Sequence, residues 1–256
     1  MPRSKFREIA EQLADEIAAL PAGTRIETEH EIAERFGVGR AAARAALQDL
    51  QHRMLVRRVQ GVGTFTSRRI DYLISPNRVP SWSQTVRSAG SRPRTVVRSC
   101  ELMPLPDELA DLLGRPRGTA CHLLRRRSFT DDVPAAWGAE WVPVDVVPEL
   151  PVAVRLVESL DTILRDVAGA VPTRAWSRAA MEAVDRSVAG ELGCKTGDWA
   201  WLVESLNVDA LSGRPLCYTQ RWMRADTVRV VIESSDRLEI SRPDRSTDRS
   251  PDPLGE

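Results

Sequence analysis

The chain has 256 residues, 42% of them hydrophobic, and its 36 basic and 36 acidic residues cancel to a formal net charge of zero. This apolar content is ordinary for a globular protein of one or two domains. No apolar run approaches the ~20 residues of a membrane-spanning helix, so a transmembrane protein is excluded and no membrane partner is expected.

Cysteine and histidine usage argues against disulfides and metal sites. The four cysteines are dispersed without a C-x-x-C pair, and the three histidines lie far apart in the sequence. The first twenty residues form an amphipathic pattern containing acids, unlike a signal peptide. We therefore expect free thiols in a reducing cytoplasm, no metal site and no cofactor.

The first predicted helix covers residues 5–20, where apolar residues recur at helical spacing. These residues are Phe6, Ile9, Ala10, Leu13, Ile17 and Leu20. The sequence Pro21-Ala22-Gly23 ends the helix, and residues 24–26 are predicted to form an edge strand beside a hairpin farther along the chain.

Two more helices are predicted after this strand. Thr28 is a candidate N-cap with Glu31 completing a capping box, and Gly37 supplies a left-handed helix end. Another helix starts near Arg40 and buries a stripe formed by Ala43, Ala46, Leu47 and Leu50. On its other side, Arg40, Arg44 and Gln48 recur every four residues and project together into solvent. This pattern indicates a helix-turn-helix with a basic exposed face.

A β-hairpin is predicted over residues 55–66, because apolar and basic residues alternate up to a turn that contains Gly61 and Gly63. Beside a recognition helix, such a hairpin is a wing that contacts the minor groove or the phosphates. From Arg35 to Arg69, eight arginines stand against a single acid, a local net charge of +7 in a neutral chain. This concentration of charge predicts double-stranded DNA as a partner at this end of the chain.

The stretch PAGTRIETEHEIAERFGVGRAAARAALQDL, followed by GVGTF, resembles the winged helix of the GntR family of bacterial transcription regulators over about the first 68 residues. The resemblance implies major-groove contacts by Arg40 and Arg44 and a wing tip at Gly61. His30 replaces a DNA-contacting arginine of the family. Gly39, Ala41 and Ala42 replace a cluster of Ser and Thr. Because these hydroxyls are lost, we expect either a different sequence preference or a lower affinity.

The division of the chain is predicted as follows. Residues 1–68 form the DNA-binding domain, 69–78 a linker broken by prolines, 79–233 a second domain, and 234–256 a disordered tail rich in Pro, Ser and charge.

The second domain contains a weak internal repeat. LADLLGRPRGTACHLL at 109–124 matches VAGELGCKTGDWAWLV at 188–203 with an offset of 79, and Trp141 matches Trp222 with an offset of 81. Each copy predicts a helix, a glycine stop, a long strand and a hairpin. The fold class is therefore α+β, an antiparallel sheet with helices on one side. A further helix is predicted over residues 159–168.

This half resembles the UTRA effector domain of the HutC subgroup of GntR regulators, whose fold is like that of chorismate lyase. The resemblance is carried by VPSWSQTVRSAG, by LLRRRSFTDDVPAAWGAEWVP and by SGRPLCYTQRWMRADTVRV, in that order. The whole chain is thus expected to join a winged helix-turn-helix to an antiparallel-sheet effector domain.

Several effector-binding residues are implied by this resemblance. Ser81, Trp82 and Ser83 would offer N–H groups and hydroxyls to an anion, or else cap a helix and place the tryptophan in the core. Arg126 matches the first of two phosphate-binding arginines, but Ser128 occupies the position of the second.

Two further residues of the second domain are candidates. Gly138 and Cys217 stand where readers of amino sugars carry glutamates, so Glu140 would have to supply that acid. Tyr218 would contact either the ligand or the core.

These features predict a dimeric repressor that a small, anionic metabolite releases from a palindromic operator. Two alternatives remain open: a constitutive DNA-binding regulator whose second domain only dimerises, and a lyase-type enzyme. The sequence shows no nucleophile–base spacing and no glycine-rich cofactor loop, so we expect no enzymatic activity.

Overall fold

The computed structural model describes residues 5–59, 61–67, 69–75 and 81–233. The predicted tail at 234–256 and the predicted domain boundary at 76–80 lie outside these residues. In the described part of the chain, no helix is long and apolar enough to cross a membrane.

The N-terminal domain consists of α1 (Lys5–Ala18), α2 (Glu29–Phe36), α3 (Arg40–His52), β1 (Val56–Val59) and β2 (Gly63–Thr66). The predicted capping box is present: the Thr28 N–H donates to Glu31 Oε2 at 2.7 Å, and the Glu31 N–H donates to Thr28 Oγ1 at 3.3 Å. Gly37 ends α2 at φ +60°, in the left-handed region. The stripe of α3 packs against α1 in one apolar core.

The wing is a hairpin of β1 and β2 to which a third segment is added. The Ile26 N–H donates to the Thr64 carbonyl at 2.9 Å, and the Thr66 N–H donates to the Thr24 carbonyl at 2.8 Å. The predicted edge strand is therefore present as a bridge between Arg25 and Phe65.

The strand β3 (Ile70–Ile74) lies inside the segment predicted to be a linker. It pairs in parallel with β10 (Val228–Ile232), so the segment before the second domain shares a small sheet with the last strand of that domain. Ile70 and Tyr72 are buried, whereas Asp71 between them is exposed. This alternation is typical of a half-buried strand, and the free edge of β10 supplies its partner.

The remaining elements are α4 (Trp82–Ser88), β4 (Pro93–Pro104), α5 (Asp107–Leu112), β5 (Ala120–Thr130), β6 (Val133–Pro143), α6 (Leu150–Leu156), α7 (Leu160–Asp166), β7 (Pro172–Ala183), α8 (Arg186–Leu192), β8 (Trp199–Asp209) and β9 (Pro215–Arg224). Six of the strands form one antiparallel sheet in the order β4-β5-β6-β9-β8-β7. The repeat is confirmed, since β4, α5, β5 and β6 are followed in the same order by β7, α8, β8 and β9. The two copies meet where β6 pairs with β9.

Helices cover both faces of this sheet, so the expectation of helices on one side is wrong. α5 packs over Cys121 and Leu206 on one face, whereas α6 and α7 pack over Leu124 and Val142 on the other. The central strands carry apolar side chains at both odd and even positions, and each face therefore needs a cover.

Candidate DNA-binding surface and effector cavity

The recognition helix α3 presents two unpaired arginines. Arg40 and Arg44 are exposed, and neither makes an ion pair within the described part of the chain. Other arginines of the basic stretch are occupied: Arg35 pairs with Glu16 and Glu27, Arg53 with Glu11, and Arg58 with Glu29. These glutamates come from sequence positions before the basic stretch, so the local charge of +7 overstates the free charge. The two arginines of α3 remain available to phosphates or bases.

The other predicted DNA-binding positions also lie on the winged helix. His30 is exposed in the first turn of α2, 3.4 Å from Glu34. Gly39 caps α3 without a side-chain hydrogen bond, and Ala41 beside it is exposed while Ala42 is half-buried. Gly61 has φ +75° at the turn of the wing, where a residue with a Cβ would be strained.

A cleft separates the wing from the second domain. His30 and Gly61 line this cleft on one side, and Pro134 and Trp199 line it on the other. Part of the predicted DNA-binding surface therefore faces the second domain, so the orientation of the two domains affects access to it.

A cavity lies on one face of the six-stranded sheet, with about 690 Å³ of empty space including the part open to solvent. Alternate residues of neighbouring strands form its floor, because successive side chains of a strand point to opposite faces. The floor comprises Arg126 and Ser128 of β5, Glu140 of β6, Val203, Ser205 and Asn207 of β8, and Cys217, Thr219 and Arg221 of β9. The starts of α4 and α7 close the cavity, together with Tyr72 of β3.

The centre of the cavity floor is charged. Glu140 is 2% exposed, and its Oε1 accepts hydrogen bonds from Arg126 and from Arg221, the latter at 2.9 Å. Arg126 also donates to the Glu158 carbonyl at 2.6 Å. Two guanidinium groups thus share one carboxylate, which leaves this trio with an excess positive charge. An anion placed against Arg126 and Arg221 would be stabilised by this excess, whereas the carboxylates of Glu158 and Asp161, which also line the cavity, oppose it.

Gly138 lies between the two arginines in the sheet. Gly138 pairs with Arg126 on one side and with Arg221 on the other, so all three occupy one row across the sheet. A Cβ at Gly138 would lie 3.2 Å from the Gln220 carbonyl oxygen and 3.5 Å from Arg221 Nε. A side chain at this position would therefore crowd the Gln220 carbonyl and contact Arg221.

Six of the seven predicted effector-binding residues meet in this cavity. Ser81 caps α4 by accepting a hydrogen bond from the Gln84 N–H at 3.3 Å, so the helix-cap interpretation of Ser81 is correct. The same residue also lines the cavity. Trp82 is buried and donates through Nε1 to the Phe129 carbonyl at 3.3 Å. Ser83, Arg126, Ser128 and Glu140 complete the group.

Tyr218 is the exception, because it lies on the opposite face of the sheet. Its ring packs against Trp141 and Trp176, with centroids 5.6 and 6.2 Å away. Its hydroxyl donates to Glu204. Burial raises the pKa of Tyr218, and the hydrogen bond to Glu204 raises it further. The core-packing interpretation therefore fits Tyr218, and it forms no part of this cavity.

Arg221 is a charged residue of the cavity that the sequence prediction missed. Cys217, placed at a ligand position by resemblance, lies four residues earlier on the same strand. Residues separated by an even number share a face of a strand, so the spacing from Cys217 was a usable signal. Among the described residues, no group of three or more His, Cys, Asp or Glu side chains is placed to hold a metal.

Two protein-family models match the chain. The model described as bacterial regulatory proteins, gntR family, matches residues 5–66, and the UTRA domain model matches residues 88–229. The chain is 28% identical to the HTH-type transcriptional repressor NagR of Bacillus subtilis over 148 residues. It is also 28% identical over 149 residues to the mannosyl-D-glycerate transport/metabolism system repressor MngR of Escherichia coli. Each alignment covers 57% of this chain, and the chain spans about three fifths of either repressor, 60% and 61% respectively.

Among solved structures, PhnF from Mycobacterium smegmatis superposes with a TM-score of 0.61 at 20% sequence identity. The superposition covers 89% of this chain and 99% of the PhnF chain. This likeness shows that the two chains share a fold.

Proposed function

Since the chain belongs to the gntR family of bacterial regulatory proteins and carries a UTRA domain at residues 88–229, we propose that it is a repressor that leaves its operator when a small anionic metabolite occupies the cavity. Both matching families consist of transcriptional regulators, not enzymes. The names of NagR and MngR as repressors support the direction of regulation.

The observation that carries the effector proposal is the shared carboxylate of Glu140. Arg126 and Arg221 approach it from two strands. Ser128 stands where the resemblance places a second arginine, and Arg221 supplies the second guanidinium instead. Because Glu140 already neutralises one of the two guanidinium charges, a carboxylate or a lightly held phosphate suits the cavity better than a tightly clamped phosphate ester. Arginine is well suited to such anions because its planar fork can donate two parallel hydrogen bonds.

Calorimetric titration of a panel of anionic, cationic and uncharged metabolites tests this proposal, with Arg126→Ala as the diagnostic variant. The effector should bind the parent protein and bind Arg126→Ala at least about tenfold more weakly, because a charge-assisted hydrogen bond contributes roughly 1.5–3 kcal/mol. Tyr218→Phe, on the other face of the sheet, should bind it like the parent. An effector that binds Arg126→Ala as tightly as it binds the parent would show that the binding pocket lies elsewhere. A cationic or uncharged effector would refute the proposal that the effector is an anion.

The repressor is proposed to act as a homodimer held by residues 79–233, on a palindromic operator within the cytoplasm. One winged helix contacts too few bases to select a genomic site, and two-fold symmetry doubles the number of bases read. Footprinting should then reveal two related half-sites. A monomer at micromolar concentration protecting a single half-site would contradict the dimer.

The second candidate function is a constitutive regulator whose UTRA domain only dimerises. The buried charges of the cavity speak against it, because dimerisation alone gives no reason to place two arginines and a glutamate under α4 and α7. If no metabolite of the panel stabilises the protein against thermal unfolding, the constitutive function becomes the better description.

A further inference from the structure

The strand that follows the wing is also a wall of the cavity. Three residues separate the end of β2 at Thr66 from the start of β3 at Ile70. This short connection is fastened at both ends: Ser67 Oγ donates to the Asp226 carbonyl at 2.7 Å, and the Ile70 N–H donates to the Thr227 carbonyl at 2.9 Å. A displacement of β3 would therefore reach the wing through a short, anchored segment.

Tyr72 is the central residue of β3 and the only part of the wing-to-domain connection that lines the cavity among the described residues. It is 5% exposed and packs with Trp82 and Met223 in one apolar cluster. Its hydroxyl accepts a hydrogen bond from Arg174 Nη2 at 2.9 Å, and Arg221 interacts with the same hydroxyl. Burial alone would raise the pKa of Tyr72, but the charges of Arg174 and Arg221 outweigh it and lower that pKa. The hydroxyl is thus held as an acceptor between two cations.

Arg221 joins this hydroxyl to the proposed anion site. The same guanidinium donates to Glu140 at 2.9 Å, and Glu140 also accepts from Arg126. An anion that binds beside Arg126 and Arg221 must compete for N–H groups that now hold Glu140, and it offsets the positive charge that Arg221 presents to the Tyr72 hydroxyl. Occupancy of the cavity consequently changes the charge that faces a residue on β3.

We infer that Tyr72 is the positioning residue through which occupancy of the cavity is transmitted to the winged helix. This inference rests on the proposed function, since it concerns the readout of the same cavity. Tyr72 acts on DNA binding through β3 and the Ser67–Asp226 anchor.

Hydrogen exchange of the full-length protein tests this role, with inorganic phosphate as the probe and chloride used to hold the ionic strength constant. Phosphate should slow exchange in β5 and β9 of the parent and change exchange in the wing, residues 56–66, by about threefold or more. Tyr72→Phe removes only the hydroxyl. With each protein saturated with phosphate, as calorimetric titration of each variant establishes, the change in the wing of Tyr72→Phe should fall below about 1.5-fold.

The chain offers a matched control, because it has two tyrosines and the other is Tyr218. Tyr218 is also buried and hydrogen-bonded to a charged side chain, but on the face of the sheet away from the cavity. Tyr218→Phe therefore loses a comparable hydroxyl and should keep the full response of the wing.

The outcomes separate this inference from the proposed function. A wing response in Tyr72→Phe equal to that of the parent would overturn the role of Tyr72 and leave the effector proposal standing. Equal losses in both tyrosine variants would indicate general loosening and would overturn it as well. If phosphate has no effect on exchange in β5 and β9 of the parent, the transmission of phosphate occupancy through Tyr72 is refuted, whereas the metabolite panel still decides the effector proposal.

Discussion

At the scale of single residues, Glu140 is the side chain whose removal has the most predictable effect. Its loss leaves two buried guanidiniums without a carboxylate, and breaking a buried pair in this way costs about 3–5 kcal/mol. We expect Glu140→Gln to lower the free energy of unfolding by that order. Phosphate should raise the melting temperature of the variant more than that of the parent, because an anion replaces the lost charge. Scanning calorimetry at several phosphate concentrations measures both effects.

Glu101→Gln is the matched control for this substitution. Glu101 pairs with Arg125 at 3.3 Å, but its side chain is 58% exposed, and exposed pairs contribute at most about 1 kcal/mol. If phosphate stabilises both glutamine variants equally, the anion does not bind at the arginines of Glu140.

At the scale of elements, the recognition helix α3 separates free arginines from structural ones. Arg44→Ala should lose roughly 1–3 kcal/mol of operator affinity and relax the preference at one base, if Arg44 makes a bidentate contact to guanine. Arg53→Ala, at the end of the same helix, should keep that affinity, because Arg53 is paired with Glu11 at 3.0 Å. Fluorescence anisotropy on a duplex obtained by in vitro selection measures both. An unchanged affinity of Arg44→Ala at physiological salt would remove Arg44 from the interface.

Local elements are also the part of the fold that the sequence predicts well. The capping box at Thr28 and the glycine end at Gly37 depend on residues within one turn, so their chemistry is visible in a short stretch. The strand β3 was missed because its partner, β10, begins at Val228, and no local pattern reveals a pairing over that distance. The even spacing of Arg221 from Cys217 was a local signal for its face of the strand, but its position beside Gly138 depends on the register of β6 and β9.

At the scale of the whole molecule, the pair Arg224–Asp226 stabilises the junction of the two domains. Arg224 Nε donates to Asp226 Oδ1 at 2.9 Å, and the Asp226 carbonyl accepts from Ser67 after the wing. Burial would raise the pKa of Asp226, but Arg224 outweighs it and the pKa is lowered. A depressed carboxyl pKa contributes stability above the unfolded value of about 3.9 and loses it as the pH falls through the folded pKa.

Asp226→Asn should therefore be less stable than the parent at pH 5–8, and this difference should shrink below about pH 4 as Asp226 of the parent is protonated. Thermal unfolding followed by circular dichroism between pH 7 and pH 3 measures the difference. Asp132→Asn, which removes an exposed pair with Arg94 at 3.6 Å, should show almost no difference at any pH. A destabilisation by Asp226→Asn that is the same at pH 3 and pH 7 would show that the carboxylate charge is not its cause.

The two repeat copies meet where β6 pairs with β9, at the floor of the cavity. The offset of 81 makes Glu140 of the first copy equivalent to Arg221 of the second, and Ala139 equivalent to the Gln220 with which it pairs. The pseudo-two-fold axis thus passes beside an ion pair formed by equivalent positions. Two identical chains meeting there would carry the same residue at both positions, and like charges would repel. Joining both copies in one polypeptide lets each position mutate independently, so a symmetric scaffold can enclose an asymmetric ligand site.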